Sequence, residues 1–120
     1  MFSHIKTSQE NKEVVTKLTS MLGLGAENVI ARIALGYSLA QNIKLDLADS
    51  LDSGGKEYSK SVLFGDYFDL YIGMICTMYG KHISDANIGK LVKLHLDDGL
   101  SLIKKSEPSD LFILLNGNIS

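Results

Sequence analysis

The segment Met21-Leu22-Gly23-Leu24-Gly25-Ala26 decides how the first third of the chain folds, because it separates two amphipathic stretches. Apolar residues recur every three or four positions on both sides of it, which is the period of an α-helix. We therefore predict one helix from about Ser8 to Leu22 and a second from about Ala26 to Ala40. Gly23 and Gly25 end the first helix and turn the chain. The apolar faces consist of Val14, Val15, Leu18, Met21 and Leu22 in the first helix, and of Val29, Ile30, Ile33, Ala34 and Tyr37 in the second.

A short edge strand is predicted ahead of the first helix, from Phe2 to Thr7, because this stretch is too short and polar for a helix. We expect Thr7 to cap the following helix, with Glu10 three residues later completing a capping box. Strand, helix, turn and helix is the order of a ribbon-helix-helix module, in which two strands pair between subunits and enter the major groove. Alternation along the strand places Ser3, Ile5 and Thr7 on one side, and His4 and Lys6 on the other.

The rest of the chain predicts a mainly α fold, with two further helices after an irregular loop. The 120 residues suit one domain. We divide it into a strand-helix-turn-helix half (1–40), an irregular acidic loop (41–65), a helical pair (66–105) and a tail (106–120). The loop includes a short strand near Ile43 to Leu47. The paired helices run from about Asp66 to Met78 and, capped by Ser84 or Asp85, from about Ala86 to Lys104.

Each helix of this pair has an apolar face. In the third helix the face is Tyr67, Tyr71, Met74, Ile75 and Met78. In the fourth it is Ile88, Val92, His95, Gly99, Leu102 and Ile103, whereas the opposite side carries Lys90, Lys93 and Lys104 with Asp97 among them. The fourth helix therefore has a partly basic outer stripe, although an ordinary solvated helix face has the same pattern.

Charge limits the ways in which this chain can bind nucleic acid. Its formal net charge is −2, so binding to DNA requires a segregated basic surface. The basic residues are eleven lysines and Arg32, which favours phosphate contacts over the reading of bases, because lysine acts as a point charge. Arg32 itself is expected to pair with Glu27 or Asp66. The candidate phosphate contacts are Lys6, Lys12, Lys17, Lys90 and Lys93.

Catalytic and metal sites find no support in the sequence. The histidines lack the spacing of zinc-binding motifs, and the single cysteine, Cys76, lies within a predicted helix with no cationic neighbour. Asp97 and Asp98 are adjacent on a helix and so point about 100° apart, which is poor geometry for paired carboxylates. We expect no catalytic residue, no metal and no cofactor.

Compartment and membrane association are also constrained. The longest apolar run, Leu111 to Leu115, is far too short to cross a bilayer, and the N-terminal stretch lacks the apolar core of a signal peptide. The sequence predicts a soluble cytoplasmic protein that does not enter a membrane.

Three ordered segments, which cover about four-fifths of the chain with the lengths between them, resemble the DndE family of DNA sulfur-modification (phosphorothioation) proteins. The first is the turn and second helix, Gly23 to Leu35 followed by Ser38-Leu39. The second is Gly55-Lys56-Glu57-Tyr58 with Leu63-Phe64-Gly65-Asp66-Tyr67. The third is His95-Leu96-Asp97-Asp98-Gly99, where the family shows a His-hydrophobic-x-x-Gly pattern.

The resemblance implies a single small, mostly helical domain that acts beside a cysteine desulfurase and the other Dnd proteins. It also implies a homotetramer that binds double-stranded DNA, with a preference for nicked duplex, through surface lysines, and it implies no catalytic residue. We predict that contacts between subunits involve the small-residue turn and the fourth helix, at Gly23, Gly25, His95 and Gly99. The alternatives are a ribbon-helix-helix transcriptional regulator, and an adaptor that contacts proteins but not DNA.

Overall fold

The computed structural model describes residues 2–105 and confirms the mainly α fold. The predicted apolar segment Leu111–Leu115 lies outside the described residues. Within residues 2–105, no helix combines the length and the apolar character needed to cross a membrane. Turns of 3-10 helix occur at Leu47–Asp49 and Gly65–Tyr67. In chain order, the elements are β1 (His4–Lys6), α1 (Gln9–Met21), α2 (Glu27–Ala40), β2 (Glu57–Ser59), α3 (Lys60–Phe64), α4 (Phe68–Tyr79) and α5 (Ile88–Lys104).

The centre of the core is the contact between α2 and α5. Gly99 of α5 lies against the backbone of Ala34 on α2, and a Cβ atom at position 99 would be only 1.9 Å from the Ala34 carbonyl oxygen. Glycine is therefore required there for the two helices to approach each other. The fully buried side chains around this contact include Ile30, Leu35, Leu96 and Leu100.

Burial extends around more of α5 than the predicted apolar face. The predicted face is buried except at Leu102, which is half-buried, and Leu91, Leu94, Leu96 and Leu100 are buried as well. Asp97, which we expected among the outer lysines, is only 3% exposed. That expectation was wrong because α1 packs on this side of α5 and supplies polar partners to the carboxylate.

The start of α1 differs from the predicted capping box. Ser8, not Thr7, is the N-cap, and its hydroxyl oxygen accepts a hydrogen bond from the backbone N–H of Asn11 at 3.1 Å. The Thr7 hydroxyl instead accepts a bond from the Lys56 backbone N–H at 2.9 Å, which ties β1 to the chain before β2. Glu10 bonds to the ammonium of Lys104 at 2.7 Å. The predicted turn after α1 is confirmed, with Gly23 and Gly25 at positive φ.

The strand pairing is internal to the chain. The predicted first strand is confirmed, with Ile5 buried and with His4 and Lys6 exposed. It pairs antiparallel with β2, which the sequence did not predict, and Ile5 lies opposite Tyr58. The strand expected near Ile43 to Leu47 does not form. Because β1 has its partner in the same protomer, this sheet differs from the intersubunit ribbon of a ribbon-helix-helix dimer.

The third predicted helix is confirmed as α4, which begins at Phe68 rather than at Asp66 because a 3-10 turn occupies Gly65–Tyr67. The short helix α3 lies in the stretch that was predicted to be an irregular loop. Ile75 on the predicted face is buried, but Tyr67 and Met74 are exposed, contrary to expectation. Arg32 pairs with neither Glu27 nor Asp66, since its guanidinium donates to the backbone carbonyls of Leu63 and Val62 at 2.9 and 3.1 Å.

Candidate nucleic-acid interface

A groove between the small sheet and the beginning of α5 brings together three of the predicted phosphate-binding lysines. Lys6 enters it from β1, whereas Lys90 and Lys93 enter from α5, and the cavity has a volume of about 580 Å³. The sequence pattern placed these residues on two separate elements, and only the folded chain shows that the elements share one concave surface. We call this cavity the β1–α5 groove. Its remaining lining residues are Phe2, His4, Ile5, Ser53, Glu57, Ser84, Asp85, Ala86, Ile88 and Gly89.

The predicted lysines differ in how freely they can reach a ligand. Lys6 and Lys90 in the groove, and Lys12 and Lys17 on α1, are exposed, and within residues 2–105 no carboxylate pairs with them. Lys93 is held by the protein, because its ammonium contacts a carboxylate oxygen of Asp97 at 2.5 Å and its side chain is only 13% exposed. Four of the five predicted lysines are therefore available to external phosphates.

The acidic groups that line the groove make no ion pair with Lys6 or Lys90. Asp85 accepts a hydrogen bond from the Asn87 backbone N–H at 2.8 Å and lies 3.9 Å from the ammonium of Lys81. Glu57 lines the groove from β2, directly opposite Lys6 in the strand register, and no ion pair of Glu57 forms within the described chain. Lys6 and Lys90 thus supply positive charge to a groove that also contains one free carboxylate.

The groove includes the amino end of α5. The helix begins at Ile88, after an N-cap at Asn87, rather than at Ala86 after a cap at Ser84 or Asp85 as predicted. The Asn87 side chain makes no capping hydrogen bond. The first backbone N–H groups of a helix carry partial positive charge, which favours nearby anions. This end of α5 adds to the charge of Lys6 and Lys90.

The residues predicted to join subunits occupy two different environments. Gly23 and Gly25 are exposed in the turn between α1 and α2, and a Cβ atom at either position would meet nothing within 4 Å. His95 and Gly99 are buried inside the protomer where α2 meets α5. These two residues therefore form no surface for a second subunit, whereas the glycine turn remains accessible.

Sequence reasoning placed His95 on the apolar face of the fourth helix and missed the polar chain around it. Ser38 of α2 donates to a carboxylate oxygen of Asp98 at 2.7 Å, so its hydroxyl oxygen accepts from Nδ1–H of His95 at 2.9 Å. The Nε2 atom of His95 then accepts from the Tyr79 hydroxyl at 2.7 Å, and Tyr79 accepts from the Leu45 backbone N–H at 2.9 Å. A neutral imidazole that carries its proton on Nδ1 fits this pattern of bonds.

This polar chain holds helices and a loop together. It links α2, α4 and α5 to the loop around Leu45, and His95 is fully buried. Burial lowers the pKa of His95, and the nearby Asp98 carboxylate opposes that shift only in part. The Ser38 hydroxyl donates to a carboxylate instead of to the imidazole, so His95 does not act as a base toward it.

A second polar cluster surrounds Asp97, which the sequence placed on the outer face of the helix. One carboxylate oxygen accepts from the Ser8 backbone N–H at 3.0 Å and from the Asn11 side-chain amide at 2.8 Å. The other bonds to Lys93, whose ammonium also donates to the Asp52 carbonyl oxygen at 2.8 Å. The cluster fixes the start of α1 against α5.

Neither polar cluster resembles a metal centre. Within residues 2–105, no group of three or more His, Cys, Asp or Glu side chains is arranged to hold a metal ion. Cys76 is a half-buried free thiol on α4.

Comparison with known proteins gives the family. No curated protein matches the chain. Among solved structures, the crystal structure of DndE from Escherichia coli B7A, described as involved in DNA phosphorothioation modification, aligns with a TM-score of 0.68. The alignment covers 86% of this chain and 98% of that chain at 17% sequence identity, which shows a shared fold. The family model described as DNA sulphur modification protein DndE matches residues 4–110, so this chain belongs to the DndE family.

Proposed function

We propose that this chain is a non-catalytic, DNA-binding component of the DNA phosphorothioation machinery. It contacts the phosphate backbone of duplex DNA, with a preference for nicked duplex, through lysines summed over a homotetramer. The observation that carries the proposal is the β1–α5 groove, in which two unpaired lysines from distant parts of the sequence face one cavity. Membership of the DndE family supports the assignment to DNA sulfur modification.

The charge distribution favours contacts with phosphates over recognition of bases. The net charge of −2 gives no overall attraction to DNA, so the binding energy has to come from local groups. Lys6, Lys90 and the start of α5 provide such groups, and Lys12 and Lys17 extend the set. Backbone contacts of this kind fix a protein on DNA without reading its sequence. Binding is therefore expected to be indifferent to sequence.

Oligomerisation increases the number of lysines that can contact one DNA duplex. Each phosphate that a lysine neutralises releases counterions, and these contributions add when several subunits contact one duplex. The exposed turn at Gly23 and Gly25 is available for a contact between subunits. We place the protein in the cytoplasm beside the other Dnd proteins, acting without a cofactor of its own.

The alternatives have less support. A ribbon-helix-helix regulator needs a strand that pairs between subunits, whereas β1 pairs with β2 of its own chain. An adaptor that contacts only proteins is consistent with the negative net charge but gives no role to the unpaired lysines of the groove.

Fluorescence anisotropy on nicked and intact duplexes of identical sequence, across a salt series, tests the proposal. Tighter binding to the nicked duplex is expected, with a logarithmic salt slope of about −0.9 for each phosphate contacted. The same affinity for a second, unrelated sequence is also expected. An absence of binding to either duplex at low salt contradicts the proposal and leaves the adaptor. Strong preference for one operator sequence favours the regulator.

A further inference from the structure

The outer face of α4 and its N-cap residue, Tyr67, carry apolar side chains that the fold of one protomer leaves exposed. Leu70 is 60% exposed, Tyr67 is 56% exposed and Met74 is 36% exposed. Their spacing of three and four residues places them in one row, with the exposed Gly73 and Thr77 beside it. We call these five residues the α4 stripe. A row of this kind on a small protein indicates an interaction surface.

Ionisable groups of opposite sign flank the α4 stripe, and a further exposed carboxylate, Asp69, lies beside Leu70. Asp66 lies exposed just before it and Lys81 lies exposed just after it. The ion pair of Lys81 with Asp85 is a weak surface contact at 3.9 Å. From residue 61 to residue 80 the chain has no lysine or arginine, so this face is unsuited to phosphates.

We propose that the α4 stripe is a contact between two copies of this chain, packed antiparallel across a twofold axis near Gly73 and Met74. In this arrangement Met74 of one copy enters the space over Gly73 of the other, where a Cβ atom would meet nothing within 4 Å. Such an interface is isologous, because the same surface patch serves both subunits. The other facing pairs are Leu70 with Thr77 and Asp66 with Lys81.

The charges of Asp66 and Lys81 favour antiparallel packing of the two copies. Asp66 and Lys81 lie beyond opposite ends of α4, whose 12 residues rise by about 18 Å, so they cannot pair within one protomer. A parallel second copy would place Asp66 against Asp66. Antiparallel packing places each carboxylate against an ammonium at both ends of the stripe.

This inference rests on the homo-oligomer of the proposed function and assigns one of its surfaces. A dihedral tetramer is built from two kinds of twofold contact. The α4 stripe supplies one of them, and the exposed turn at Gly23 and Gly25 is available for the other. The β1–α5 groove lies outside the stripe and shares no lining residue with it, so assembly through α4 leaves the groove open.

Sedimentation velocity of the full chain over a concentration series tests this contact. Leu70→Glu is expected to weaken one association step by more than about a hundredfold, because each interface carries the change twice. The matched control is Ile43→Glu, which replaces a loop side chain of the same 60% exposure and is expected to leave association unchanged. Unfolding curves of both variants establish that they fold.

Charge exchange tests the orientation of the two copies. Asp66→Lys and Lys81→Asp are each expected to weaken association by about tenfold, and the double variant is expected to restore it, because the pair is re-formed with its signs exchanged. Restoration has no explanation within one protomer. If the double variant associates no better than the single ones, the antiparallel pairing is wrong.

Two results separate this inference from the proposed function. If the wild type stays monomeric, or if folded Leu70→Glu associates like the wild type, the α4 contact is wrong, whatever the DNA measurements give. If Leu70→Glu loses one association step and its smaller species still binds DNA with a salt-dependent affinity, the α4 contact is supported independently of the groove. Absence of DNA binding by the wild type overturns the proposed function and leaves the sedimentation result valid.

Discussion

The ammonium of Lys93 lies 2.5 Å from a carboxylate oxygen of Asp97, one turn further along α5, and both side chains are largely withdrawn from solvent. The other carboxylate oxygen of Asp97 is bonded to the start of α1. Lys93 therefore neutralises a buried charge in the protein, and any contact that it makes with DNA competes with this role.

Replacement of Lys93 by glutamate is expected to destabilise the fold. Lys93→Glu would leave Asp97 buried without a counter-charge and place a second carboxylate beside it, at a cost of about 3 kcal/mol in the free energy of unfolding. Lys90→Glu, on the exposed side of the same helix, is expected to change it by less than about 0.5 kcal/mol. Urea denaturation at fixed protein concentration measures both. Equal denaturation midpoints for the two variants would contradict the structural role of Lys93.

The close approach of α2 and α5 predicts a large effect of a single methyl group. Gly99→Ala would bring a Cβ atom against the carbonyl oxygen of Ala34, and the helices would have to separate at a cost of about 3 kcal/mol in stability. Gly36→Ala in α2 is the matched control, because its Cβ would make an ordinary contact at 3.7 Å with Tyr71. That change is expected to be neutral or to stabilise the fold by about 0.5–1 kcal/mol. Thermal unfolding that shows the same loss for both variants would be inconsistent with the tight contact.

The sequence predicted those elements whose signals are local. The turn was predicted from Gly23 and Gly25 because glycine accommodates positive φ without a steric cost, and both residues have positive φ in the structure. The two flanking helices were predicted because their apolar residues follow the helical period. The strand β1 was predicted because its stretch is too short and polar for a helix, and the structure confirms the alternation, with Ile5 buried between exposed neighbours.

The remaining features depend on contacts between residues that are distant in sequence. The strand β2 has three residues, and its identity as a strand comes from pairing with β1. Asp97 was placed at the surface because nothing near it in sequence reveals its partners Ser8 and Asn11, which lie more than eighty positions away. The β1–α5 groove could not be predicted from the sequence for the same reason. The unpaired lysines that line it were predicted as phosphate contacts from their charge alone.

Stability is expected to fall as the pH drops through the titration range of His95. Burial holds the pKa of the folded His95 below its ordinary value of 6.5, so below about pH 6.5 the unfolded chain binds more protons than the folded chain. The contribution of neutral His95 is complete above that value and is lost as the pH decreases toward the folded pKa. Measurement of the free energy of unfolding about one pH unit above and below 6.5 detects the loss.

Two variants identify the source of this pH dependence. His95→Gln is expected to reduce it, whereas His82→Gln changes an exposed histidine and is expected to leave it unaltered. The carboxylates of Glu10 and Asp52 affect stability only at lower pH. A side-chain hydrogen bond from Lys104 lowers the pKa of Glu10, and backbone N–H groups of Gln9 and Gly54 lower the pKa of Asp52. A pH dependence unchanged in His95→Gln would show that another group is responsible.

Single lysine variants will show which parts of the surface contact DNA. Lys6→Gln and Lys90→Gln, in the groove, are each expected to reduce the logarithmic salt slope of binding by about 0.9 for every subunit in contact, because each removes one phosphate contact. Lys12→Gln and Lys17→Gln on α1 are expected to act in the same way, since these side chains are also exposed.

Lys44→Gln is the matched control for these variants. Lys44 is an exposed loop lysine that lies outside the β1–α5 groove, so its replacement lowers the net charge by the same amount without removing a proposed contact. If it changes the slope as much as Lys6→Gln and Lys90→Gln do, binding reflects total charge and the groove has no special role. If only the two α1 variants reduce the slope, the DNA lies along α1, and the start of α5 does not take part in phosphate binding.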